Sequence, residues 1–108
     1  MGKETKETLA DFDFLAKLVV GIGEVAEVTG VPARQIRYWE EKGIISSLTG
    51  AASSTRRYDY YQIKKIIMIK ELMDEGFTLD AAVSRANERL KHFNKMFAEL
   101  KKLSLIHI

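Results

Sequence analysis

Near the middle of the chain lies the stretch that decides the fold, Ala33-Arg34-Gln35-Ile36-Arg37-Tyr38-Trp39-Glu40-Glu41-Lys42. If this stretch is helical, residues three and four positions apart share a face. One stripe then carries two guanidinium groups, a phenol and a carboxylate, on Arg34, Arg37, Tyr38 and Glu41. Ile36 and Trp39 point the other way, and we expect them to be buried against Val25 and Val28. The pattern predicts an amphipathic helix with a cationic, hydrogen-bonding outer face.

A second short helix is predicted immediately before this one. The apolar residues between Ile22 and Ala26 have helical spacing, and Gly30 marks the end of that helix. Pro32 suits the first turn of the following helix because its missing N–H has no helical partner there in any case. Gly43 ends the second helix. Two short helices joined by a tight turn predict a helix-turn-helix, with the second as the recognition helix.

A wing is predicted downstream of the helix-turn-helix. Ile44-Ile45 leads into residues 46–55, which are mostly small or polar, and Arg56-Arg57-Tyr58 follows. An apolar strand, a flexible tip and a basic return strand together predict a β-hairpin. From this segment alone, a plain surface loop stays open as the alternative.

Two longer helices are predicted after the wing. Asp59 is a candidate N-cap for a helix reaching about Glu75, whose apolar residues cover most of its circumference and suggest the central core helix. Gly76 ends it, Phe77 is expected in the core, and Thr78 caps the next helix. Apolar residues then recur alternately four and three positions apart, a 3.5-residue repeat, at Leu79, Val83, Ala86, Leu90, Phe93, Phe97 and Leu100.

This repeat predicts an antiparallel coiled-coil dimerisation helix and tail over residues 79–108. The expected interface residues are Val83, Ala86, Leu90, Phe93, Phe97 and Leu100. The alternative is a break near Arg89 to Phe93, with both halves packed on the same core. We assign residues 21–78 to the winged helix-turn-helix and residues 1–20 to an N-terminal extension. Within the extension, a short helix over residues 11–19 and a strand at Leu18-Val19-Val20 both remain open.

The composition excludes several kinds of site. Among the 108 residues there is no cysteine, which excludes disulfides, thiolate metal sites and thiol redox sensing. His92 and His107 are too isolated for a metal cage, and no phosphate-cradling glycine loop occurs. We therefore expect no enzyme, no metal and no cofactor. No apolar run approaches the roughly 20 residues of a membrane helix, so a cytoplasmic protein is expected.

The distribution of charge is more informative than its total. The formal net charge is +2, yet residues 34–70 alone carry eight basic and three acidic side chains. This central block contains the recognition helix and the wing. A concentration of positive charge there favours a polyanionic partner, although a solvated lysine-rich face is the simpler alternative.

Several motifs together resemble the DNA-binding domain of the MerR family. They are Ile22-Gly23-Glu24-Val25-Ala26, Thr29-Gly30-Val31, Arg34, Ile36-Arg37-Tyr38-Trp39-Glu40, Gly43-Ile44-Ile45, Arg56-Arg57-Tyr58 and Glu75-Gly76-Phe77-Thr78-Leu79. The resemblance covers roughly residues 20 to 80. It implies a mainly α winged helix-turn-helix followed by an antiparallel coiled-coil helix. The chain is most similar to the short members of the GlnR/TnrA or HspR type, which lack an effector domain.

The resemblance also implies the residues that bind DNA. Arg34, Arg37 and Tyr38 correspond to recognition-helix contacts, and Arg56 and Tyr58 to wing contacts, with Arg57 a further one. Gln35 is either a base reader, because its amide can pair bidentately with adenine, or an ordinary exposed polar residue. The sequence departs from the family at Trp39, which replaces a second tyrosine, and at the wing tip, which lacks the usual Gly-Tyr.

The function implied is that of a sequence-specific transcriptional regulator. Such a protein binds inverted-repeat promoter DNA as a homodimer, with RNA polymerase or another protein as a further partner. An excisionase-like or packaging-type architectural protein with the same fold is the alternative. A protein-interaction module, with the coiled coil as its functional part, is a third hypothesis.

Overall fold

The structure, a computed structural model, is mainly helical, with one small antiparallel sheet. It describes Phe14, Leu15, residues 17–49 and residues 56–106. In chain order the elements are β1 (Val19–Gly21), α1 (Ile22–Thr29), α2 (Ala33–Glu41), β2 (Arg57–Asp59), α3 (Tyr60–Asp74) and α4 (Leu79–Ile106). This architecture confirms the predicted class, a winged helix-turn-helix followed by a long C-terminal helix.

Some predictions fall on parts of the chain that the structure does not describe. Most of the N-terminal extension, the wing tip Gly50 to Thr55 and the last two residues lie outside the described residues. The side chains of Phe97 and Leu100 do as well.

The turn between α1 and α2 is held by one threonine. The Thr29 hydroxyl donates to the carbonyl of Val25 at 2.7 Å and accepts from the backbone N–H of Val31 at 3.2 Å. Gly30 follows at φ +77°, a left-handed conformation that a side chain would strain. The carbonyl of Pro32 then accepts the first hydrogen bond of α2, from Gln35 N at 2.9 Å. The helix-turn-helix is therefore specified by local hydrogen bonds as well as by packing.

Helices α2 and α3 end in the same way. After α2, Gly43 N donates to the carbonyl of Glu40 and Ile44 N to that of Trp39. After α3, the amides of Gly76 and Phe77 make the equivalent two bonds, and both glycines have positive φ. This is the Schellman arrangement, in which a glycine reverses the chain and satisfies the last carbonyls. The predicted helix ends at these glycines are confirmed.

The strand pairing differs from the prediction. Strand β2 pairs antiparallel with β1, so that Val20 lies opposite Tyr58, rather than with the predicted partner Ile44-Ile45. Ile45 is instead buried in the core. On the wing side of β2, Leu48 N donates to the carbonyl of Arg57 at 2.8 Å. Of the two alternatives for the end of the extension, the strand is present at Val19–Gly21, while Phe14, Leu15 and Lys17 have helical backbone.

One core joins all the elements. Asp59 caps α3 by accepting from Gln62 N at 3.1 Å, as predicted, and α3 buries Ile63, Ile66, Ile69 and Leu72. Ile36 and Trp39 of α2 are also buried, with Val25, as predicted. The expectation for Val28 is wrong, because its side chain is 73% exposed on the outer side of α1.

Helix α4 is capped by Thr78, whose hydroxyl accepts from Ala81 N at 3.2 Å. It runs without interruption for 28 residues, so the alternative of a break near Arg89 to Phe93 is wrong. Its buried residues are Ala82, Ala86 and Leu90, of which Ala82 lies outside the predicted repeat. Within the described part of the chain, no helix is both long enough and apolar enough to cross a membrane.

Candidate nucleic-acid interface

The recognition helix α2 presents its predicted stripe to the surface. Because Ile36 and Trp39 are buried, the helix cannot turn about its axis, and the opposite side faces outward. Arg34, Gln35 and Arg37 are exposed, and the Tyr38 side chain is 48% exposed. The outer face of α2 therefore combines two guanidinium groups with an amide and a phenol.

Three of these residues share one recess. Arg34, Gln35 and Tyr38, together with Pro32, line an open depression of about 310 Å³ at the start of the helix. A recess of this kind carries hydrogen-bond donors on one side and an aromatic ring on the other. Such a combination can contact both phosphate oxygens and base edges.

Lys42 is a further cation on this face that the sequence reasoning did not single out. Its ammonium lies 5.4 Å from the centre of the Tyr38 ring, a cation–π distance. The signal was available, because Tyr38 and Lys42 are four residues apart and therefore neighbours on a helix. The contact holds the phenol and the ammonium together at the end of α2.

The wing strand adds two arginines. Arg57 in β2 is exposed, and its backbone N–H donates to the hydroxyl of Thr49 at 3.3 Å. Arg56, immediately before β2, is half-buried, and its carbonyl accepts from Ile22 N at 3.1 Å. The sheet therefore fixes the backbone from which both guanidinium groups extend.

Tyr58 is not exposed, as a direct contact with DNA would require. Its side chain has 0% exposure and lies in the hydrophobic core. The reason is the alternation of a strand: with Arg57 directed outward, its neighbour is directed inward. The expected role of Tyr58 as a wing contact is therefore corrected to a position beneath the surface.

The hydroxyl of Tyr58 reaches a carboxylate of the recognition helix. It donates to Glu40 Oε1 at 2.8 Å, and the Ser47 hydroxyl donates to Glu40 Oε2 at 3.1 Å. Sequence reasoning missed Glu40 and Ser47 as parts of this site. No local pattern points to them, because Glu40 bonds to Tyr58, 18 residues later, and Ser47 bonds to Glu40 from beyond the end of α2.

The electrostatics of Tyr58 show which cations lie nearby. Burial raises the pKa of its hydroxyl strongly, and the hydrogen bond and negative charge of Glu40 raise the pKa further. The positive charges of Arg56 and Arg37 act in the opposite direction. A cation of α2 and a cation beside β2 therefore both influence the same buried phenol. The hydrogen bond from Tyr58 to Glu40 joins the two elements directly.

A second open depression lies beside Glu40. It measures about 450 Å³ and is lined by Glu40, residues 43–47, Gln62 and Lys65. The Gln62 side-chain oxygen accepts from Ser46 N at 3.0 Å and so ties this loop to α3. Burial lowers the pKa of Lys65, a residue for which the sequence offered no signal. Among the described residues, no group of three or more side chains could hold a metal ion.

The predicted dimerisation residues separate into two groups. Ala86 and Leu90 are fully buried and Val83 is partly buried in the core of the same chain. Phe93 is partly buried, with its ring 6.2 Å from that of Tyr60. Beyond Phe93, Met96 is 44% exposed, and the side chains of the last two predicted residues lie outside the described part.

Comparison with known proteins identifies the family. Residues 21–89, well over half of the chain, match the MerR HTH family regulatory protein domain. The chain is 33% identical over 69 residues to the HTH-type transcriptional regulator TnrA of Bacillus subtilis (strain 168), covering 64% of this chain and 62% of TnrA. It is 36% identical over 58 residues to GlnR of Bacillus anthracis, covering 54% of this chain and 44% of GlnR.

A third relative has the same sequence identity as GlnR over a slightly longer alignment. The chain is 36% identical over 61 residues to the HTH-type transcriptional regulator HmrR of Sinorhizobium medicae (strain WSM419), covering 56% of this chain and 42% of HmrR. The chain thus spans about half the length of these relatives. The part that matches contains the helix-turn-helix, the wing strand and α3. From the matched domain and the fold, this chain belongs to the MerR family of helix-turn-helix regulatory proteins.

Proposed function

We propose that this protein is a sequence-specific DNA-binding transcriptional regulator that binds inverted-repeat promoter DNA as a homodimer. The observation that carries the proposal is the row of cations and hydrogen-bonding side chains exposed on the outer face of α2, together with the Tyr58–Glu40 hydrogen bond, which ties β2 and its exposed Arg57 to this helix. The relatives named TnrA, GlnR and HmrR are transcriptional regulators, which supports the same function.

The proposed contacts divide by chemistry. Arg34 and Arg37 bind phosphate oxygens or guanine edges, for which a planar guanidinium is suited. Gln35 reads a base, and Tyr38 donates to phosphate. From the wing, Arg57 and Arg56 grip the flanking backbone. Tyr58 takes no direct contact in this proposal, because its side chain is buried.

The proposed homodimer uses the far part of α4. Helix α3 has 15 residues and α4 has 28. At a rise of about 1.5 Å per residue, α4 therefore extends well past the end of α3, on which it packs. Ala86 and Leu90 are already buried by the chain's own core, so the seam between two copies begins at about Phe93. Residues 21–78 then form the DNA-binding domain and residues 79–108 the dimerisation helix and tail, after an extension over residues 1–20. The protein acts in the cytoplasm, with RNA polymerase or another protein as a further partner.

Selection of bound fragments from random and genomic DNA at physiological salt tests the proposal. We expect an enriched site with dyad symmetry, located at promoters. Affinity for it should fall steeply as salt rises, because each neutralised phosphate releases counterions. Enrichment of no sequence, or binding that does not respond to salt, would overturn the proposal. Tandem sites at a recombination or packaging locus would instead favour the architectural alternative, and footprinting on the recovered sites distinguishes the two.

A further inference from the structure

The carboxylate of Glu40 bridges three segments that are separate in the sequence. It extends from α2, one oxygen accepts from Tyr58 of β2, and the other accepts from Ser47 in the loop after α2. The distances are 2.8 and 3.1 Å, within the usual range for hydrogen bonds. A charged acceptor makes both bonds stronger than neutral ones. We call Glu40, Tyr58 and Ser47 the helix–wing clamp.

The clamp lies at the junction of the proposed DNA contacts. Glu40 is in the same helix as Arg34 and Arg37, and Tyr58 directly follows Arg57 in β2. Tyr58 is wholly buried, so its ring anchors β2 in the core while its hydroxyl specifies the distance to α2. Any movement of the wing strand relative to the recognition helix has to break the bond to Glu40.

The charges explain why a carboxylate is needed at this place. The positive charges of Arg37, in α2, and of Arg56, immediately before β2, both act on the Tyr58 hydroxyl in the direction that lowers its pKa. Without DNA these cations repel each other. The half-buried negative charge of Glu40, which accepts from the same hydroxyl, offsets this repulsion and keeps α2 and β2 together before DNA binds.

A purely structural explanation is that Tyr58 fills the core and its hydroxyl only satisfies its own hydrogen bond. The ring alone would meet the first need. This explanation does not account for the other oxygen of Glu40. That oxygen accepts from Ser47, which lies in the loop after α2 and is not a core residue. One residue therefore holds both sides of the wing, the loop after α2 and strand β2.

We infer that Glu40, Tyr58 and Ser47 are positioning residues, which hold the wing at a set distance from the recognition helix so that Arg57 and the α2 cations engage DNA as one rigid unit. The inference rests on the proposed function. Rigid placement in advance improves affinity because less ordering is left to occur on binding.

The first test needs no DNA. Hydrogen exchange should be compared between wild type and Tyr58→Phe, which keeps the ring and removes the donor. We expect the Leu48 amide, which bonds to the Arg57 carbonyl, to exchange about tenfold faster in the variant, while the amides of α3 keep their protection. Tyr61→Phe is the matched control, since it removes a hydroxyl from a half-buried tyrosine outside the clamp. Unchanged exchange at Leu48 would overturn the inference.

The second test measures coupling on DNA. Dissociation constants and their salt dependence should be measured for wild type, Tyr58→Phe, Arg57→Ala and the double variant on one selected site. We expect Tyr58→Phe to weaken binding about three- to tenfold and to lower the salt slope by about one. The effect of Arg57→Ala should be smaller in the Tyr58→Phe background than in wild type. Additive losses would show that the clamp does not position Arg57, and would overturn the inference.

Two Glu40 variants separate position from charge. Glu40→Gln retains an acceptor for Tyr58 and a polar group for Ser47 but removes the charge, so we expect its wing exchange to lie between that of wild type and that of Glu40→Ala. Glu40→Ala removes both bonds and should behave like Tyr58→Phe in exchange and in coupling. Equal effects of the Gln and Ala variants on exchange would contradict a positioning role. If wild type itself binds no DNA, the proposed function fails, and the exchange results still decide whether the clamp holds the wing.

Discussion

Helices α2 and α3 contribute to the same core in different ways. Helix α2 has nine residues and buries two side chains, Ile36 and Trp39. Helix α3 has 15 residues and buries four, and further apolar residues of α3 are partly buried against the same cluster. The exposed side of α2 carries the cations of the proposed interface, whereas α3 has apolar residues around most of its circumference. The larger part of the core and the proposed recognition of DNA therefore lie mainly on different helices.

The difference teaches how a small domain can vary its binding face. Two buried side chains are enough to orient α2, since a helix anchored at Ile36 and Trp39 cannot turn about its axis. The exposed positions of α2, such as Arg34, Gln35 and Arg37, are then open to change without loss of core packing. Helix α3 has less of that freedom, because most of its residues are buried or half-buried against other elements.

Replacement of Ile66 by alanine tests the α3 side of the comparison and should have the largest effect. Ile66 is fully buried, so the variant leaves a cavity in the core. We expect the free energy of unfolding to fall by about 2–5 kcal/mol, measured by urea denaturation. Under conditions where the variant is folded, its affinity for DNA should stay unchanged. Glu71→Ala, at an exposed position of the same helix, is the control and should remain within about 0.5 kcal/mol of wild type.

Replacement of Arg37 by alanine tests the α2 side. We expect the free energy of DNA binding to weaken by about 1–3 kcal/mol if Arg37 reads a base, with most of the loss confined to the selected site. An equal loss on all sequences would instead indicate a phosphate contact. The free energy of unfolding should change by less than about 0.5 kcal/mol, because Arg37 is exposed. Lys91→Ala, an exposed cation on α4, is the matched control.

If α2 and α3 do not differ in this way, Ile66→Ala will not affect stability alone and Arg37→Ala will not affect DNA binding alone. A large loss of stability in Arg37→Ala would mean that the outer face of α2 contributes to the fold. An Ile66→Ala variant that is folded and yet fails to bind DNA would mean that α3 orders the interface directly.

The pH dependence of stability tests the environment of Tyr58, the buried residue of β2 that hydrogen-bonds to Glu40 of α2. Burial, then Glu40, raises the pKa of the Tyr58 hydroxyl above its ordinary value of about 10. The folded protein therefore keeps this proton at pH values where the unfolded chain has lost it. The stability contributed by the proton is fully present below about pH 10 and is lost as pH rises through the folded-state pKa.

The measurement compares wild type with Tyr58→Phe by urea denaturation from about pH 8 to about pH 11. Above about pH 10 we expect the free energy of unfolding of wild type to fall by up to about 1.4 kcal/mol per pH unit more than that of the variant. The other titrating groups are common to both proteins and cancel in the difference. Parallel curves would show that the hydroxyl is not held in a protonated state by the fold.

Much of the fold was predicted from the sequence because the signals are local. The ends of α2 and α3 follow from Gly43 and Gly76, and the start of α3 from Asp59, each within a few residues of the helix it bounds. The burial of Ile36 and Trp39 follows from helical spacing on an otherwise polar helix. Arg34, Arg37 and Tyr38 were placed on one face by the same rule, and they are exposed as expected.

The remainder of the site depends on which distant segments meet. The alternation of β2 was visible in the sequence, but its partner was not: Val19–Gly21 competes with Ile44-Ile45, and both are short and apolar. The correct pairing directs Tyr58 into the core and Arg57 outward. A local pattern could equally have placed Tyr58 on the surface, as we expected.

The sequence by itself determined the helices, their caps, the exposed cations of α2 and the family. The helices, their caps and the exposed face of α2 arise from interactions between residues at most a few positions apart, and such short spacings can be read in the sequence. The family follows from the order and spacing of its motifs. Only the tertiary structure decided that β1 pairs with β2, that Glu40 joins Tyr58 to Ser47, and that Ala86 and Leu90 belong to the chain's own core. The physical reason is that packing selects among distant partners with similar local patterns, and the selection is made by the whole core at once.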